Sequence, residues 1–496
     1  LKERDQKEKI GLKGKEWTFW ALLGGVSLWL VLYLYVTPYD LSPDEAYYWT
    51  WSKRLAWGYY SKPPLVALII WATTSLGGDT PFFVRLGAPL LWTITAFALY
   101  RLSQGLLGPK SAIRAFLLGL FTLWTPLGGF LMTIDPPLMA FWGLTLLFLF
   151  RALQGNRPYW YLGGVTLGLG LLSKYTMALL PLSFFLYLFS YKSQRPWLKR
   201  KEPYLFLLIA FIFFFPHLLW EWRHGLIAFK HTASLVSKKG EDLRHLWEFL
   251  GGQALLLTPL TFLLVQLGSA FGLKKALLGD ERYGFLLFPY LFPFGICLLL
   301  SLKGPCYANW PAPAYLSGLI MAQAALEDLG LRPKVREILY RTALGVGALF
   351  LALSYSLEAF KPLLPKGVNP TSKVTGWKEL GAEVMSLMTS FEKEPFLLSP
   401  DRKIASELAF YAKAFPRTYA FNPSKVPSSQ FDLWGGLEGE KGENAIVVLK
   451  EGKELPQALR EAFESCKLYK DFYVFQGGER TVGFRIFVCH NLQGDL

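Results

Sequence analysis

The sequence predicts a polytopic α-helical membrane protein with a small α/β domain at its C-terminal end. Two observations of composition lead there: 52% of the 496 residues are hydrophobic and 16% aromatic, and the mean hydropathy is positive. A third is the presence of apolar runs, such as 17–36, 204–220 and 342–360, long enough for a hydrocarbon core of about 30 Å. A soluble domain of this length would not carry so much apolar surface.

Hydropathy gives about eleven spans, at 17–36, 82–104, 111–130, 136–153, 158–173, 175–190, 204–220, 247–268, 284–301, 311–327 and 341–360. The apolar run 63–76 holds only about fourteen residues and is read as interfacial or re-entrant. Together 17–360 forms the bundle, with an outer loop at 37–80. Positive charge orients it, because cytoplasmic loops retain Lys and Arg. The leader 1–16 holds six such residues, among them Lys2, Arg4 and Lys15. The loop after the sixth span holds Lys192, Arg195, Lys199, Arg200 and Lys201, and the one before the eleventh holds Arg332, Lys334, Arg336 and Arg341. All three fall on one side, the cytoplasmic one. The segment 221–246, with Arg223, Lys230, Lys238, Lys239 and Arg244, falls opposite, where a basic face could serve an anionic substrate. Much of the net charge of +15 is therefore topology and attraction to anionic headgroups, and nucleic acid need not be invoked. The leader is too charged, and its apolar run too long, for a cleaved signal peptide.

An odd span count with the N-terminus inside places 361–496 outside. Short strands are predicted at 395–398, 417–421, 445–449, 472–475 and 484–488, with a helix over 401–414. Cys466 and Cys489 fall near these strands, and an oxidising exterior would allow them to pair. Cys297 reads as a core residue and Cys306 as a loop thiol.

Six charges emerge on the exterior side: Asp44, Glu45, Asp135, Lys62, Lys174 and Lys303. Ser42 precedes Glu45 by three residues, so Asp44 and Glu45 open a short helix whose N-terminal dipole favours negative charge, and capping is their plain structural role. Asp135, before Pro136 and Pro137, could equally cap the fourth span. The lysines could snorkel to headgroups. Snorkelling does not explain lone lysines beside carboxylates on the base-poor side, whereas positioned cations suit a phosphate leaving group. Tyr and Trp at this density also fit an interfacial belt.

The motifs Pro43-Asp44-Glu45-Ala46-Tyr47-Tyr48, Tyr60-Ser61-Lys62-Pro63-Pro64-Leu65, Thr133-Ile134-Asp135-Pro136-Pro137-Leu138, Leu172-Ser173-Lys174-Tyr175 and Asn309-Trp310-Pro311-Ala312-Pro313 resemble those of the GT-C membrane glycosyltransferases. Within that group the chain is most similar to bacterial relatives of the protein O-mannosyltransferases and of the lipid A aminoarabinose transferases, over nearly its whole length. The resemblance implies transfer of a sugar from a polyprenyl-phosphate carrier to an acceptor at the outer face of the bacterial inner membrane. Lipid A or lipopolysaccharide core is the leading acceptor, and protein hydroxyls are the alternative. It implies Asp44 as catalytic carboxylate, supported by Asp135 and Glu45. Lys62, Lys174, Lys303 and Arg85 would bind the donor phosphate, and Tyr59, Tyr60, His224, His231, Asn309 and Trp310 would line the substrates. One departure stands out: Ser61 occupies the position before Lys62 where the aminoarabinose transferases carry a carboxylate. A metal site of the kind those enzymes hold would lose a ligand there. A divalent metal stays open and no cofactor is fixed.

The chemistry agrees with these residues. A sugar phosphodiester already carries its leaving group, so the protein need only align acceptor and anomeric carbon and neutralise the departing phosphate. No P-loop or dinucleotide fingerprint is visible. His224 and His231 are seven apart, a spacing that would share a helix face, but no motif fixes a zinc ligand set. His217, beside Pro216, reads as a buried polar residue. Two rival classes are a lipid or sugar transporter, and a scaffold in which the exterior domain does the work. The acidic residues at span ends argue against the first, since transporters carry theirs near the midplane. The number of spans argues against the second.

Overall fold

The computed structural model describes residues 2–236, 243–357, 369–424, 426–476 and 479–494, with side chains from Glu16 onward except those of Val236, Gln476 and Glu479. The chain folds into two compact units. One comprises residues 1–35, 63–66 and 85–356; the other comprises 36–62, 67–84 and 357–496. Most of the expected outer loop therefore packs with the C-terminal domain.

The first unit is a helical bundle. Among the described residues, seven helices are long and apolar enough to cross a membrane: Glu16–Val36, Pro81–Leu107, Asp135–Leu153, Glu202–Arg223, Pro259–Leu277, Glu281–Ser301 and Pro333–Tyr355. Pro109–Leu120 and Trp124–Phe130 make an eighth if their 73° bend is one broken span. The count differs from about eleven because three expected spans are short. Pro158–Leu171, Leu179–Ser190 and Ala314–Asp328 have 14, 12 and 15 residues, and a helix rises only about 1.5 Å per residue. The expected span 247–268 is instead interrupted at Thr258, whose φ of 68° ends one helix before Pro259 starts the next. The run read as re-entrant is the helix Leu65–Gly77, 13 residues long and too short to cross. Small residues let neighbours close in: a Cβ on Gly268 would stand 2.6 Å from the Ala322 backbone, and one on Gly164 2.7 Å from the Phe206 carbonyl.

The C-terminal unit holds a five-stranded sheet of order β2-β1-β3-β5-β4. Its strands are β1 (Phe396–Ser399), β2 (Thr418–Ala420), β3 (Ala445–Lys450), β4 (Phe463–Gln476) and β5 (Glu479–Leu492). β1 pairs in parallel with β2 and β3, while β5 runs antiparallel to β3 and β4. Period-two alternation sends Leu397, Ile446 and Val448 to one face, where Leu380, Val384 and Leu408 of helices Trp377–Met388 and Arg402–Tyr411 cover them. Phe396, Leu398, Val447 and Leu449 go to the other face, against Leu459 and Phe463. Burial on both faces explains the near-continuous apolar run of β3. All five expected strands and the expected helix are present, although the last two strands are 14 residues each and form one long hairpin. Cys466 and Cys489 are direct partners across that hairpin and are bonded.

Candidate active site

In the bundle, three motifs converge on one carboxylate. Asp135 opens the helix Asp135–Leu153 and makes no side-chain cap, so its carboxylate stays available beside a helix N-terminus that favours negative charge. Lys174 stands in extended backbone after the helix Pro158–Leu171, its N–H held by the Gly170 carbonyl at 3.1 Å. Its Nζ lies 2.8 Å from Asp135 Oδ1, with both side chains nearly buried. Asn309, in the loop after Glu281–Ser301, donates from Nδ2 to the other oxygen, Oδ2, at 2.6 Å. The partners are 39 and 174 residues from Asp135 in sequence. One end of the bundle therefore gathers the start of one span and the ends of two other helices. Leu65, which follows Pro63 and Pro64, joins the same end, where its N–H donates to the Leu172 carbonyl at 3.0 Å. Lys303, in the loop that carries Asn309, is exposed. Trp310 is half-buried, 5.7 Å from the Tyr307 ring.

Sequence reasoning missed the layer behind Lys174. Tyr175 Oη meets His217 Nε2 at 2.9 Å and Glu221 Oε1 at 3.5 Å, and His217 and Glu221 are fully buried. Glu221 Oε2 accepts from the Ala228 N–H at 3.2 Å, at the start of the helix Ile227–Val236. The sequence offered His217, a polar residue in an apolar span, and Tyr175 within its motif, but nothing that joined them to Glu221.

In the C-terminal unit, Asp44 and Glu45 open the helix Pro43–Ser52 as expected, but they part company there. Glu45 is fully buried and completes a capping box: Ser42 N–H donates to its Oε2 at 2.9 Å and its own N–H reaches Ser42 Oγ at 3.4 Å. That is the plain capping role the sequence offered for Glu45. Asp44 is 59% exposed, with Arg402 Nη1 3.6 Å from Oδ1. Arg402, which sequence reasoning did not single out, lies over the Tyr47 ring at 4.3 Å. Gln430 N–H donates to Tyr47 Oη at 2.5 Å, and burial, opposed by Arg402, pushes that phenol well above its ordinary range. Tyr60 is half-buried with its N–H on Gln430 Oε1 at 2.7 Å. Lys62 pairs its backbone with Tyr59 in a two-way bridge.

Two expected substrate contacts turn inward. Tyr59 is fully buried, stacks on Trp51 at 4.4 Å and donates to the Trp51 carbonyl at 3.0 Å, and burial pushes its hydroxyl up to about 12. Arg85 is 1% exposed, with its guanidinium 4.2 Å from the Phe130 ring. Both side chains are closed off from solvent. His224 and His231 do not share a helix face, because Gly225 (φ 67°) and Leu226 (φ 59°) break the chain between two helices. His224 stacks on Trp220 at 4.0 Å and His231 sits in the second helix. Among the described residues no three His, Cys, Asp or Glu side chains are grouped to hold a metal ion.

Residues 61–220 match the family model described as dolichyl-phosphate-mannose-protein mannosyltransferase. The chain is 26% identical over 419 residues to the lipid A galacturonosyltransferase RgtD of Rhizobium johnstonii, covering 82% of this chain and 85% of that one. Among solved structures, ArnT from Cupriavidus metallidurans aligns with a TM-score of 0.65 at 16% identity, over 96% of this chain and 98% of ArnT in the apo state. Its complex with undecaprenyl phosphate aligns equally well, over 94% and 97%. An Archaeoglobus fulgidus oligosaccharyltransferase aligns at 0.52 and 12% identity, over 79% of this chain and 61% of the other. The chain thus shares the fold of ArnT, and with the family model and the curated relative the resemblance to membrane glycosyltransferases read from the motifs is borne out.

Proposed function

We propose that this protein is a glycosyltransferase of the inner membrane that moves a sugar from a polyprenyl-phosphate carrier to lipid A. The observation that carries this reading is the meeting of Asp135, Lys174 and Asn309, since three motifs of the resemblance share one buried hydrogen-bonded cluster. The lipid A galacturonosyltransferase relative supports the acceptor, and the undecaprenyl phosphate bound to ArnT supports the donor.

In the reaction the acceptor hydroxyl attacks the anomeric carbon. The bond from that carbon to the phosphate oxygen breaks, and polyprenyl phosphate leaves with the electron pair. Asp44, exposed and held by a loose ion pair, accepts or orients the hydroxyl proton. Lys62, Lys174 and Lys303 offset charge on the departing phosphate. Asp135 fixes the Lys174 ammonium through their ion pair, and Asn309 holds Asp135. The leader 1–16 lies in the cytoplasm, and 361–496 lies outside, where the Cys466–Cys489 disulfide is at home. Mass spectrometry of envelope lipids from cells with and without the protein tests the reading: a sugar-modified lipid A that vanishes with the gene supports it, and an unchanged lipid profile refutes it.

A further inference from the structure

The C-terminal unit contains a cavity of about 610 Å³ that none of the roles above uses. Its floor is apolar, with Trp377 and Phe484 almost fully buried, and its rim is cationic, with Lys373, Lys403, Lys450 and Arg480. Two carboxylates also line it, and each is engaged. Asp401 caps the helix Arg402–Tyr411 by accepting from the Lys403 N–H at 2.9 Å, and Glu451 is paired with Arg480. Among the described residues, Lys373, Lys403 and Lys450 have no carboxylate within ion-pair distance. They come from the turn before one helix, the first turn of another and the end of β3, so no local regularity puts them together. Like charges held around one concavity raise the local anion concentration. An aromatic floor under such a rim suits the apolar face of a sugar ring carrying an anionic group.

The position of the cavity adds to its chemistry. Pro43, which opens the helix bearing Asp44, lines it, and so do Asp401 and Lys403 on either side of Arg402. Arg402 in turn is the ion-pair partner of Asp44. A ligand seated here would lie next to the proposed base. We infer that this cavity binds the phosphorylated saccharide headgroup of the acceptor and presents a hydroxyl to Asp44. The inference rests on the acceptor reading above.

The test uses the full-length purified protein and a water-soluble phosphorylated glucosamine disaccharide, with its dephosphorylated form, inorganic phosphate and anionic phospholipid vesicles as comparisons. Binding is compared between the wild type and a Lys373→Glu/Lys403→Glu/Lys450→Glu variant that keeps the wild-type unfolding temperature; if the triple variant does not fold, Lys450→Gln and Lys403→Gln replace it. The phosphorylated disaccharide should bind the wild type, weaken with salt, and lose about tenfold or more in affinity in the variant. In turnover the acceptor KM should rise while the donor KM stays within about twofold. Equal binding by wild type and variant would overturn the inference. So would equal affinity for the dephosphorylated disaccharide, for inorganic phosphate alone or for phospholipid vesicles. Because binding is read without turnover, a wild type that binds the disaccharide but transfers nothing to lipid A would refute the proposed function and leave the cavity assignment standing.

Discussion

Asp44 and Asp135 are both carboxylates at helix starts, yet their surroundings predict different mutant behaviour. Asp135 is nearly buried with both oxygens engaged, so Asp135→Asn leaves Lys174 desolvated without its counter-charge. Breaking such a pair costs about 3–5 kcal/mol. That variant should lose both activity and thermal stability, which calorimetry and a transfer assay will separate. Asp44 is exposed and holds one partner at 3.6 Å, so Asp44→Asn should leave unfolding unchanged while slowing transfer by about 10²–10⁴-fold. Glu440 gives a pH prediction. Burial acts to raise its carboxyl, but hydrogen bonds from Arg417 and Tyr419 outweigh it and hold the group below the ordinary glutamate range. A depressed folded value means its stabilisation is complete above the unfolded value and is lost as pH falls through the folded one. Acid unfolding of Arg417→Met should therefore show a shallower pH dependence there than the wild type, and identical profiles would refute the pairing.

At the scale of elements, legibility followed the range of the determining contact. The capping box at Ser42 was readable because both partners lie within one turn, and Ser42→Ala should destabilise the unit by about 1 kcal/mol, measurable by denaturant unfolding. The start of the helix Trp377–Met388 was not readable. Its first N–H groups are accepted by Asp40 Oδ2 at 2.9 and 3.3 Å, from a residue 337 positions away. The five strands were legible because alternation and punctuation are local signals. Short helices in the bundle were not, since hydropathy reports apolar content and cannot see where Thr258 takes a positive φ. The histidine pair failed for the same reason: spacing assumed a continuous helix, and Gly225 was the overlooked break. Close packing at Gly268 predicts that Gly268→Leu forces helices Pro259–Leu277 and Ala314–Asp328 apart, lowering stability by about 1–3 kcal/mol.

Over the whole chain, the candidate site was legible as a set of motifs, because charges at span ends stand out against apolar segments. The partner of Asp44 was not: Arg402 sits in a stretch where a charged residue is unremarkable. The disulfide was open on spacing and is fixed by register, with Cys466 opposite Cys489 across the hairpin. Closing a segment of 23 residues, it should contribute about 3 kcal/mol, so Cys466→Ser/Cys489→Ser should lower the unfolding temperature of the C-terminal unit and abolish its sensitivity to reductant. The central claim is that the chain transfers a sugar from a polyprenyl phosphate with Asp44 as the reacting carboxylate. Its most direct measurement is transfer by purified, folded wild type and Asp44→Asn from polyprenyl-phosphate-linked sugar to lipid A, read by mass spectrometry of the lipid. The account predicts sugar-modified lipid A with the wild type and almost none with the variant; equal product from both would contradict it.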